Sequence, residues 1–458
     1  MAGWKTWSGL AICMVLLALW TLRPIGVHPP ADIETPFDTE RAIGRLAVIL
    51  GDQRPHPTDS EANDAVEQRL LAEIRKAGFA PLVRERFHCN AIREGAAICA
   101  RPRNILFWVT PPGDDAVMLA AHYDSVPAGP GAADDGIGIA VILEVAHLLK
   151  GRDLARPVLV LFSDAEEAGL VGAAAFAAHD PLRVQVGAVV NVEARGTTGG
   201  VNMFQTSRPN AHDIEALIAG GQVASANALA TDFYELLPND TDLTMLLPMG
   251  IDAANYSIIG GGKRYHTPLD DLSHLDARSV RHMSASVLAA ATGFAQTRPK
   301  GAEGEHVFTD LGRRITLVLP YGAAAVLLGL GAAASAVVFL RAGSGGRRKA
   351  ILLPPLALIA GVGASVAVGA LIAALRADAA FGTAYPAVLR LAFAAAALAG
   401  AGLVVHLMRA ENPSRSAASA WIWISVPILA AFVFIPGLSI LAAWPLVAVI
   451  AAAAASCF

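Results

Sequence analysis

Charged residues are scarce in this 458-residue chain and are missing from long stretches of it. Asp, Glu, Lys and Arg make up only 16% of the residues, against 54% hydrophobic residues, and the mean hydropathy is +0.49. Acids are nearly absent from residues 311–458, which contain Asp378, Glu411 and ten Lys or Arg, so the first 310 residues hold the other 37 acids and 25 bases. This distribution excludes a uniformly soluble chain and indicates an acidic, water-soluble front part followed by a part of another kind. The acidity of the front part also argues against nucleic acid as a partner.

Cysteine is scarce as well, with four in the whole chain. No pair has the CxxC spacing of a zinc knuckle, so the sequence does not indicate one. Cys13 and Cys457 lie in apolar segments, whereas Cys89 and Cys99 flank NAIREGAAI inside an apparent hairpin. An oxidising compartment would allow a disulfide between Cys89 and Cys99, and two unpaired thiols are the alternative.

The part that lacks acids consists mainly of long apolar runs. Candidate membrane spans lie at residues 315–340, 351–375 and 386–408. The first two runs are uncharged over 26 and 25 residues, more than the roughly 20 residues that a helix needs to cross a bilayer. Arg390 lies near one end of the third run, and the 38 uncharged residues from Trp421 onward are split by Pro436, which is compatible with two short spans or a re-entrant hairpin. We therefore predict a multi-span α-helical transmembrane domain over residues 315–458, since buried core helices are seldom this long.

The N-terminus and the loop after the first span predict the orientation in the membrane. Trp7–Leu22 is apolar, follows Lys5 and has no A-x-A cleavage site, which favours a retained anchor within residues 1–29 over a signal peptide. The loop 341–349 carries four positive charges and no acid, so we expect it to be cytoplasmic. Residues 24–314 would then lie on the periplasmic or lumenal side of a multi-pass membrane protein.

The front part alternates apolar strands with helical segments. We predict strands over residues 104–109, 116–123, 157–164 and 186–194, and helices over 61–79, 136–150 and 169–179. Strands that are apolar along their whole length indicate a sheet covered on both faces. The expected fold is therefore a three-layer α/β domain with a mixed, mostly parallel sheet, whose functional site lies beyond the carboxyl ends of the strands.

Ionisable residues are concentrated at these strand ends and in the loops beside them. The residues concerned are His122, Asp124, Asp134, Glu166, Glu167, Glu193 and His266. Each alone has an ordinary structural explanation, such as a hydrogen-bonded histidine, a helix-capping aspartate or an acidic first turn. Together they are too many carboxylates to ionise without a countercharge. Divalent ions supply that charge, and imidazoles with carboxylates suit zinc, with one carboxylate bridging two ions.

The motifs HYDS, GAADDGIG, SDAEEAGLVGA, NVEARG and YHTPLDDL, in this order, resemble the dizinc exopeptidase family. The resemblance covers roughly residues 40–297 and implies a zinc peptidase domain over residues 30–300, with a linker over 301–314 before the spans. A soluble peptidase domain followed by several spans resembles the endoplasmic reticulum metallopeptidase branch in particular.

The resemblance implies a ligand set for two zinc ions. Asp134 would bridge both ions. His122 and Glu193 would complete one site, and Glu167 and His266 the other. Glu193 stands where many members have Asp, a side chain one methylene shorter that is equally able to ligate.

The resemblance also assigns residues that do not ligate. Glu166 would be the general base, and Asp124 would hold the His122 imidazole in its ligating orientation. Asp135 would help to set the backbone geometry of the bridging residue. Ile137 departs from the family because a small residue is frequent at this position.

The function expected from the sequence is a membrane-anchored zinc exopeptidase, an aminopeptidase in the first place, acting on peptides. One alternative is a glutaminyl cyclase-like acyltransferase, which shares the fold but works with one zinc. A non-catalytic ectodomain is disfavoured by the complete ligand set, and a transporter by the lack of acids in the spans, where Arg390 is the one charge. The preferred residue, the terminus that is cut, the number of spans and the oligomeric state stay open.

Overall fold

A computed structural model describes residues 35–91, 97–221, 223–296, 303–311, 315–342, 346–375, 386–409 and 412–442. The chain divides into two units, Met1–Glu305 with Asp310–Leu317, and His306–Thr309 with Val318–Phe458. The anchor predicted over Trp7–Leu22 lies outside the described residues. The predicted domain boundaries at residues 29, 300 and 314 stay predictions.

The strands fall into one large and two small sheets. In chain order they are β1 (Leu82–Glu85), β2 (His88–Ala91), β3 (Ala97–Ala100), β4 (Arg103–Trp108), β5 (Ala116–His122), β6 (Val158–Ser163), β7 (Val186–Ala194), β8 (Thr198–Thr206), β9 (Ser225–Ala226), β10 (Asp252–Gly260), β11 (His306–Leu311) and β12 (Ile315–Pro320). The large sheet has the order β1-β4-β6-β5-β7-β10-β8-β9, while β2 pairs with β3 and β11 with β12.

The helices of the first unit are α1 (Thr39–Leu50), α2 (Glu61–Lys76), α3 (Gly136–Leu149), α4 (Val171–His179), α5 (Ala211–Ala219), α6 (Ala228–Leu236), α7 (Asp242–Leu246) and α8 (Ala277–Gln296). Those of the second unit are α9 (Tyr321–Arg341), α10 (Arg347–Leu375), α11 (Pro386–Met408) and α12 (Pro413–Ala431).

Helices cover both faces of the large sheet. Successive side chains of a strand point to opposite faces, and β5 shows this directly. Met118 and Ala120 belong to the core cluster that contains Phe176 of α4 and Leu243 of α7, whereas Ala121 faces α3. The predicted three-layer α/β architecture is confirmed.

The four central strands, β6, β5, β7 and β10, run parallel, whereas β4 and β8 pair antiparallel to β6 and β10. The sheet is therefore mixed and mostly parallel at its centre, as predicted. β5, β6 and β7 are buried along their whole length, which explains their uninterrupted apolar sequences. Because the central strands are parallel, their carboxyl ends meet at one edge of the sheet.

Among the described residues of the second unit, three helices are long and apolar enough to cross a membrane, namely Tyr321–Arg341, Arg347–Leu375 and Val388–Met408. The predicted span 315–340 is wrong at its start, because Ile315–Pro320 forms β12. The β-branched residues of ITLVLP favour an extended chain, and Pro320 precedes the helix as its N-cap. The second span begins at Arg347 rather than at residue 351.

Helices α10 and α11 approach closely within the second unit. A Cβ added to Gly400 would lie 2.4 Å from the carbonyl oxygen of Ala360, so this contact requires glycine. The Ser365 hydroxyl donates to the carbonyl oxygen of Phe393 at 3.1 Å. Small and hydroxylated residues of this kind are typical of interfaces between membrane helices.

The last apolar segment is described only in part. Helix α12 ends at Ala431 and is followed by a 3₁₀ turn over Pro436–Leu438, at the proline where the sequence predicts a division. Residues 443–458 lie outside the described part of the chain, so the predicted pair of short spans or re-entrant hairpin stays a prediction.

Candidate active site

The carboxyl edge of the sheet carries every residue that the sequence analysis singles out as a ligand or base. His122 is the last residue of β5, and Glu193 lies one residue before the end of β7. Glu166 and Glu167 follow β6, and His266 follows β10. The parallel strands thus bring together residues that are up to 144 positions apart.

Asp134 lies between the two imidazoles. Its Oδ1 is 3.4 Å from Nε2 of His122, and its Oδ2 is 3.1 Å from Nε2 of His266. The same His266 nitrogen is 3.1 Å from Oε1 of Glu167, and Nε2 of His122 is 4.0 Å from Oε2 of Glu193. Each oxygen of Asp134 therefore faces a different histidine, which is the arrangement that a bridging carboxylate needs.

Several of these atoms are buried without a hydrogen-bond partner among the described residues. The atoms are His122 Nε2, Asp134 Oδ2, Glu167 Oε1 and His266 Nε2. The distances are short, but the groups are not aligned for hydrogen bonds. Unsatisfied buried polar atoms are rare and costly, and four of them in one cluster of side chains are suited to binding metal ions.

Two overlapping groups of side chains have ligand atoms within 4.8 Å of one another. One comprises His122, Asp134 and Glu167, and the other His122, Glu166 and Glu193. The donors are imidazole nitrogens and carboxylate oxygens, which suit zinc. The residues present therefore fit the metal that the sequence predicts, and geometry alone does not separate Glu166 from the ligands.

Burial and mutual repulsion raise the pKa of the carboxyl groups in this cluster. Burial first, and then nearby acids, raise the pKa of Glu193 to about 8 and the pKa of Glu166 well above its ordinary value. Burial opposes protonation of His266, but Asp134 and Glu167 outweigh it and raise the pKa of that imidazole to about 9. Without a metal the two imidazoles are the cations nearest to these acids, so the cluster needs additional positive charge to ionise fully.

Asp124 contacts both the histidine and the glutamate pair. The Nδ1 atom of His122 is 3.0 Å from the backbone carbonyl oxygen of Asp124 and 3.6 Å from its carboxylate. The carboxylate itself accepts hydrogen bonds from the backbone N–H groups of Glu166 at 3.0 Å and Glu167 at 3.2 Å. The backbone of Asp124 thus makes the closer contact to the imidazole, and its side chain holds the turn that carries both glutamates.

The segment that follows Asp134 caps a helix beneath the site. Asp135 is the N-cap of α3, and its carboxylate accepts a hydrogen bond from the N–H of Gly138 at 3.2 Å. A Cβ on Gly138 would lie 2.2 Å from Oδ2 of Asp135, so this cap requires glycine. Ile137 is fully buried in the first turn of α3. The fold therefore accommodates an isoleucine where the family frequently has a small residue.

The sequence analysis misses Asp270, which holds the segment that carries Asp134. Its carboxylate accepts hydrogen bonds from the backbone N–H groups of Ala133 at 2.8 Å and Asp134 at 3.1 Å. Asp270 belongs to the motif YHTPLDDL, four residues after His266. Its place in that motif could have identified it as a candidate site residue. The sequence does not show which of the two adjacent aspartates turns inward.

Asp242 is the second residue that the sequence analysis misses. It is the first residue of α7, is 1% exposed and accepts a hydrogen bond from the hydroxyl of Ser163. Burial raises the pKa of its carboxyl group to about 6, opposed by the nearby His122. Asp242 lies in LLPNDTDLTML, which has no periodicity or spacing that would have predicted its burial beside the site.

With this geometry established, residues 104–291 match the family model of peptidase family M28. This segment spans β4 to α8 and contains every candidate site residue. The class of protein that this segment resembles is thus a peptidase of that family. The predicted resemblance to zinc exopeptidases is confirmed for this segment, which makes up less than half of the chain.

The curated relatives include a vacuolar membrane protease and an endoplasmic reticulum metallopeptidase. The chain is 30% identical over 288 residues to the vacuolar membrane protease of Schizosaccharomyces pombe, covering 59% of this chain and 33% of the relative. It is 29% identical over 206 residues to human endoplasmic reticulum metallopeptidase 1, covering 45% of this chain and 24% of that protein. The chain thus spans a third or less of the length of these relatives.

Solved structures with a similar fold include two enzymatic types. A zinc aminopeptidase from Bacillus subtilis has 15% identity and a TM-score of 0.44, covering 60% of this chain and 99% of that one. Porphyromonas gingivalis glutaminyl cyclase has 19% identity and a TM-score of 0.44, covering 56% of this chain and 97% of that one. At this level of similarity neither structure decides between the two activities.

Proposed function

We propose that this chain is a membrane-anchored, zinc-dependent exopeptidase of the aminopeptidase type, with two zinc ions bridged by Asp134. The observation that carries the proposal is the set of four buried ligand-type atoms without hydrogen-bond partners, in which Asp134 faces both His122 and His266. In a purely structural cluster the buried polar atoms would hydrogen-bond to one another. Here the ligand-type atoms lie close together without hydrogen bonds.

The proposed ligands divide between two ions. His122, Asp134 and Glu193 would hold one ion, and Asp134, Glu167 and His266 the other. Bound zinc would supply Lewis acidity at the scissile carbonyl and would bring the pKa of a bound water towards neutrality.

Glu166 is proposed as the general base because it lies next to a ligand and within the same cluster. Its carboxylate would accept a proton from the attacking water and pass it to the leaving amine. The carboxylate of Asp124 positions Glu166 by accepting a hydrogen bond from the backbone N–H of Glu166.

The proposal includes a location for the site. The positive loop at 341–349 favours a cytoplasmic position, which would place the peptidase domain on the periplasmic or lumenal side. Three helices able to span a membrane support a multi-pass protein in contact with lipid.

Hydrolysis of a peptide panel by the full-length protein in detergent tests the proposed function. The panel pairs aminoacyl substrates with peptides blocked at the amino terminus, and adds a peptide with amino-terminal glutamine. We expect hydrolysis of the unblocked peptides, loss of activity on chelation and recovery with zinc. Cyclisation of the glutaminyl peptide without hydrolysis would assign the site to an acyltransferase, and cleavage of blocked peptides only from the carboxyl end would overturn the aminopeptidase assignment.

A further inference from the structure

Arg195 lies at the edge of the candidate site, two residues after Glu193. Its guanidinium carbon is 4.8 Å from the centroid of the Tyr265 ring. Tyr265 in turn stacks on His266, with ring centroids 3.7 Å apart and an interplanar angle of 19°. Two consecutive ring contacts therefore link this cation to a proposed metal ligand.

Arg195 is exposed and has no carboxylate partner within 4.0 Å in the described part of the chain. Two more cations, Lys263 and Arg264, precede Tyr265 in the same loop, and neither has a carboxylate partner among the described residues. Arg264 donates to the hydroxyl of Thr197 at 2.9 Å. Three cations without acidic partners thus lie in the segments that carry Glu193 and His266, although acids outnumber bases 37 to 25 in the first 310 residues.

This arrangement is suited to binding a carboxylate of the substrate. A guanidinium is planar and weakly hydrated, and it can donate two parallel hydrogen bonds to a carboxylate. Stacking on Tyr265 restricts the side chain before the ligand arrives, which lowers the entropic cost of binding. An extended peptide advances about 3.5 Å per residue, so a carboxylate one or two residues from a carbonyl held beside His266 comes within reach of Arg195.

We propose that Arg195 binds a substrate carboxylate one or two residues from the bond that is cut. The inference rests on the proposed peptidase function and narrows its substrate class to short peptides with an anionic group near that bond. The carboxylate can come from the free carboxyl terminus of a di- or tripeptide or from an acidic side chain. Both sources present the same chemical group.

Matched peptides distinguish the two sources. Leu-Ala and Leu-Ala amide differ only in the terminal carboxylate, and Leu-Glu amide and Leu-Gln amide differ only in the side-chain carboxylate. With the full-length protein, we expect kcat/KM to be about 10- to 100-fold higher for the carboxylate member of at least one pair, the effect of one hydrogen bond to a charged group. The preference should appear mainly in KM, because Arg195 binds the substrate away from the reacting atoms.

Substitution assigns the preference to Arg195. Arg195→Gln should reduce the preference to less than about threefold, and Arg195→Lys should restore part of it because it keeps the charge. Arg278→Gln is the matched control, since Arg278 is an exposed arginine of the same unit that pairs with Asp276 at 2.8 Å. The control should keep the preference of the unchanged protein.

Three results would overturn the inference. The first is equal kcat/KM for both members of both pairs in the unchanged protein. The second is a preference that Arg195→Gln leaves intact. The third is an equal loss of kcat/KM on charged and neutral peptides in that variant, which would show that Arg195 only packs against Tyr265.

Calorimetric binding of the same peptides separates this inference from the proposed function. If no peptide is hydrolysed but the carboxylate peptides still bind about 10-fold more tightly through Arg195, the proposed function fails and the anion site stands. If peptides are hydrolysed but bind equally well with or without the carboxylate, the function stands and the anion site fails.

Discussion

Glu166 and Glu167 are neighbours with identical side chains, and the proposed mechanism gives them different tasks. Glu167 Oε1 lies 3.1 Å from Nε2 of His266 and lacks a hydrogen-bond partner, as a metal ligand would. Glu166 belongs to the other group of clustered side chains. The backbone N–H groups of both residues are held by one carboxylate, that of Asp124, so a substitution of either side chain leaves the turn itself intact.

Glu166→Gln removes the proposed proton acceptor but leaves the five proposed ligands in place. We expect a folded protein with its full zinc content and a loss of turnover on the order of 10²-fold or more. Glu167→Gln should lower zinc content and activity together. Peptide hydrolysis and zinc content measured on both variants test the assignment, which full activity in Glu166→Gln would contradict.

Asp270 and Asp271 provide a second matched pair. Asp270→Asn leaves one of two backbone N–H groups, on Ala133 or Asp134, facing an amide that cannot accept. We expect zinc affinity or activity to fall by about 10- to 100-fold, the usual cost of losing a residue that orients a ligand.

Asp271→Asn is the control for this effect, because Asp271 bonds only within its own turn, to Ser273 and His274. Zinc titration and activity measurements on both variants test whether Asp270, unlike Asp271, supports zinc binding. Equal behaviour of the two variants would show that Asp270 has no special role in positioning Asp134.

At the scale of single residues, the sequence predicts those whose chemistry is visible in a motif. His122, Asp134 and Glu193 fall next to strand or helix ends that the apolar pattern locates, whereas His266 is visible through its motif, YHTPLDDL. Asp242 could not be predicted in this way, because its burial depends on how a non-periodic segment packs against β6 and β7.

At the scale of elements, parallel pairing of the central strands creates the site. β5, β6, β7 and β10 each end at the same edge, and each contributes a residue at or just after its end. The apolar pattern predicts the first three of these strands, because strands buried on both faces have continuous apolar sequences. The start of the first candidate membrane helix could not be read from hydropathy, because β12 is also apolar and leads directly into that helix.

The hairpin β2–β3 is closed by a disulfide between Cys89 and Cys99, whose Cα atoms are 4.0 Å apart. This is the pairing that the sequence analysis favours for an oxidising compartment. Closing a loop of about ten residues constrains the unfolded chain, so replacing both cysteines with serine should lower the free energy of unfolding by roughly 2–3 kcal/mol.

Thiol labelling of the protein from its native membrane checks the same disulfide. Cys89 and Cys99 should react with an alkylating reagent only after reduction, and the double serine variant should lose this reduction-dependent labelling. Labelling of both thiols before reduction would contradict the pairing.

At the scale of the whole molecule, the distribution of charge divides the chain into an acidic peptidase part and an apolar part. The same distribution predicts the topology, because the loop after the first span carries four positive charges without an acid. A reporter enzyme that is active only in the cytoplasm, fused at residue 345, should be active. A reporter that is active only after export, fused at the same residue, should be silent, and its activity would contradict a cytoplasmic loop.

Elemental analysis of the purified full-length protein tests the proposed site for two zinc ions bridged by Asp134. We expect about two zinc ions per chain after reconstitution, because five ligands with one bridging carboxylate suit a dinuclear site. The variant Asp134→Asn should hold less zinc than the unchanged protein. A single tightly bound zinc ion that reconstitution cannot raise to two would contradict the account and favour the cyclase type of site.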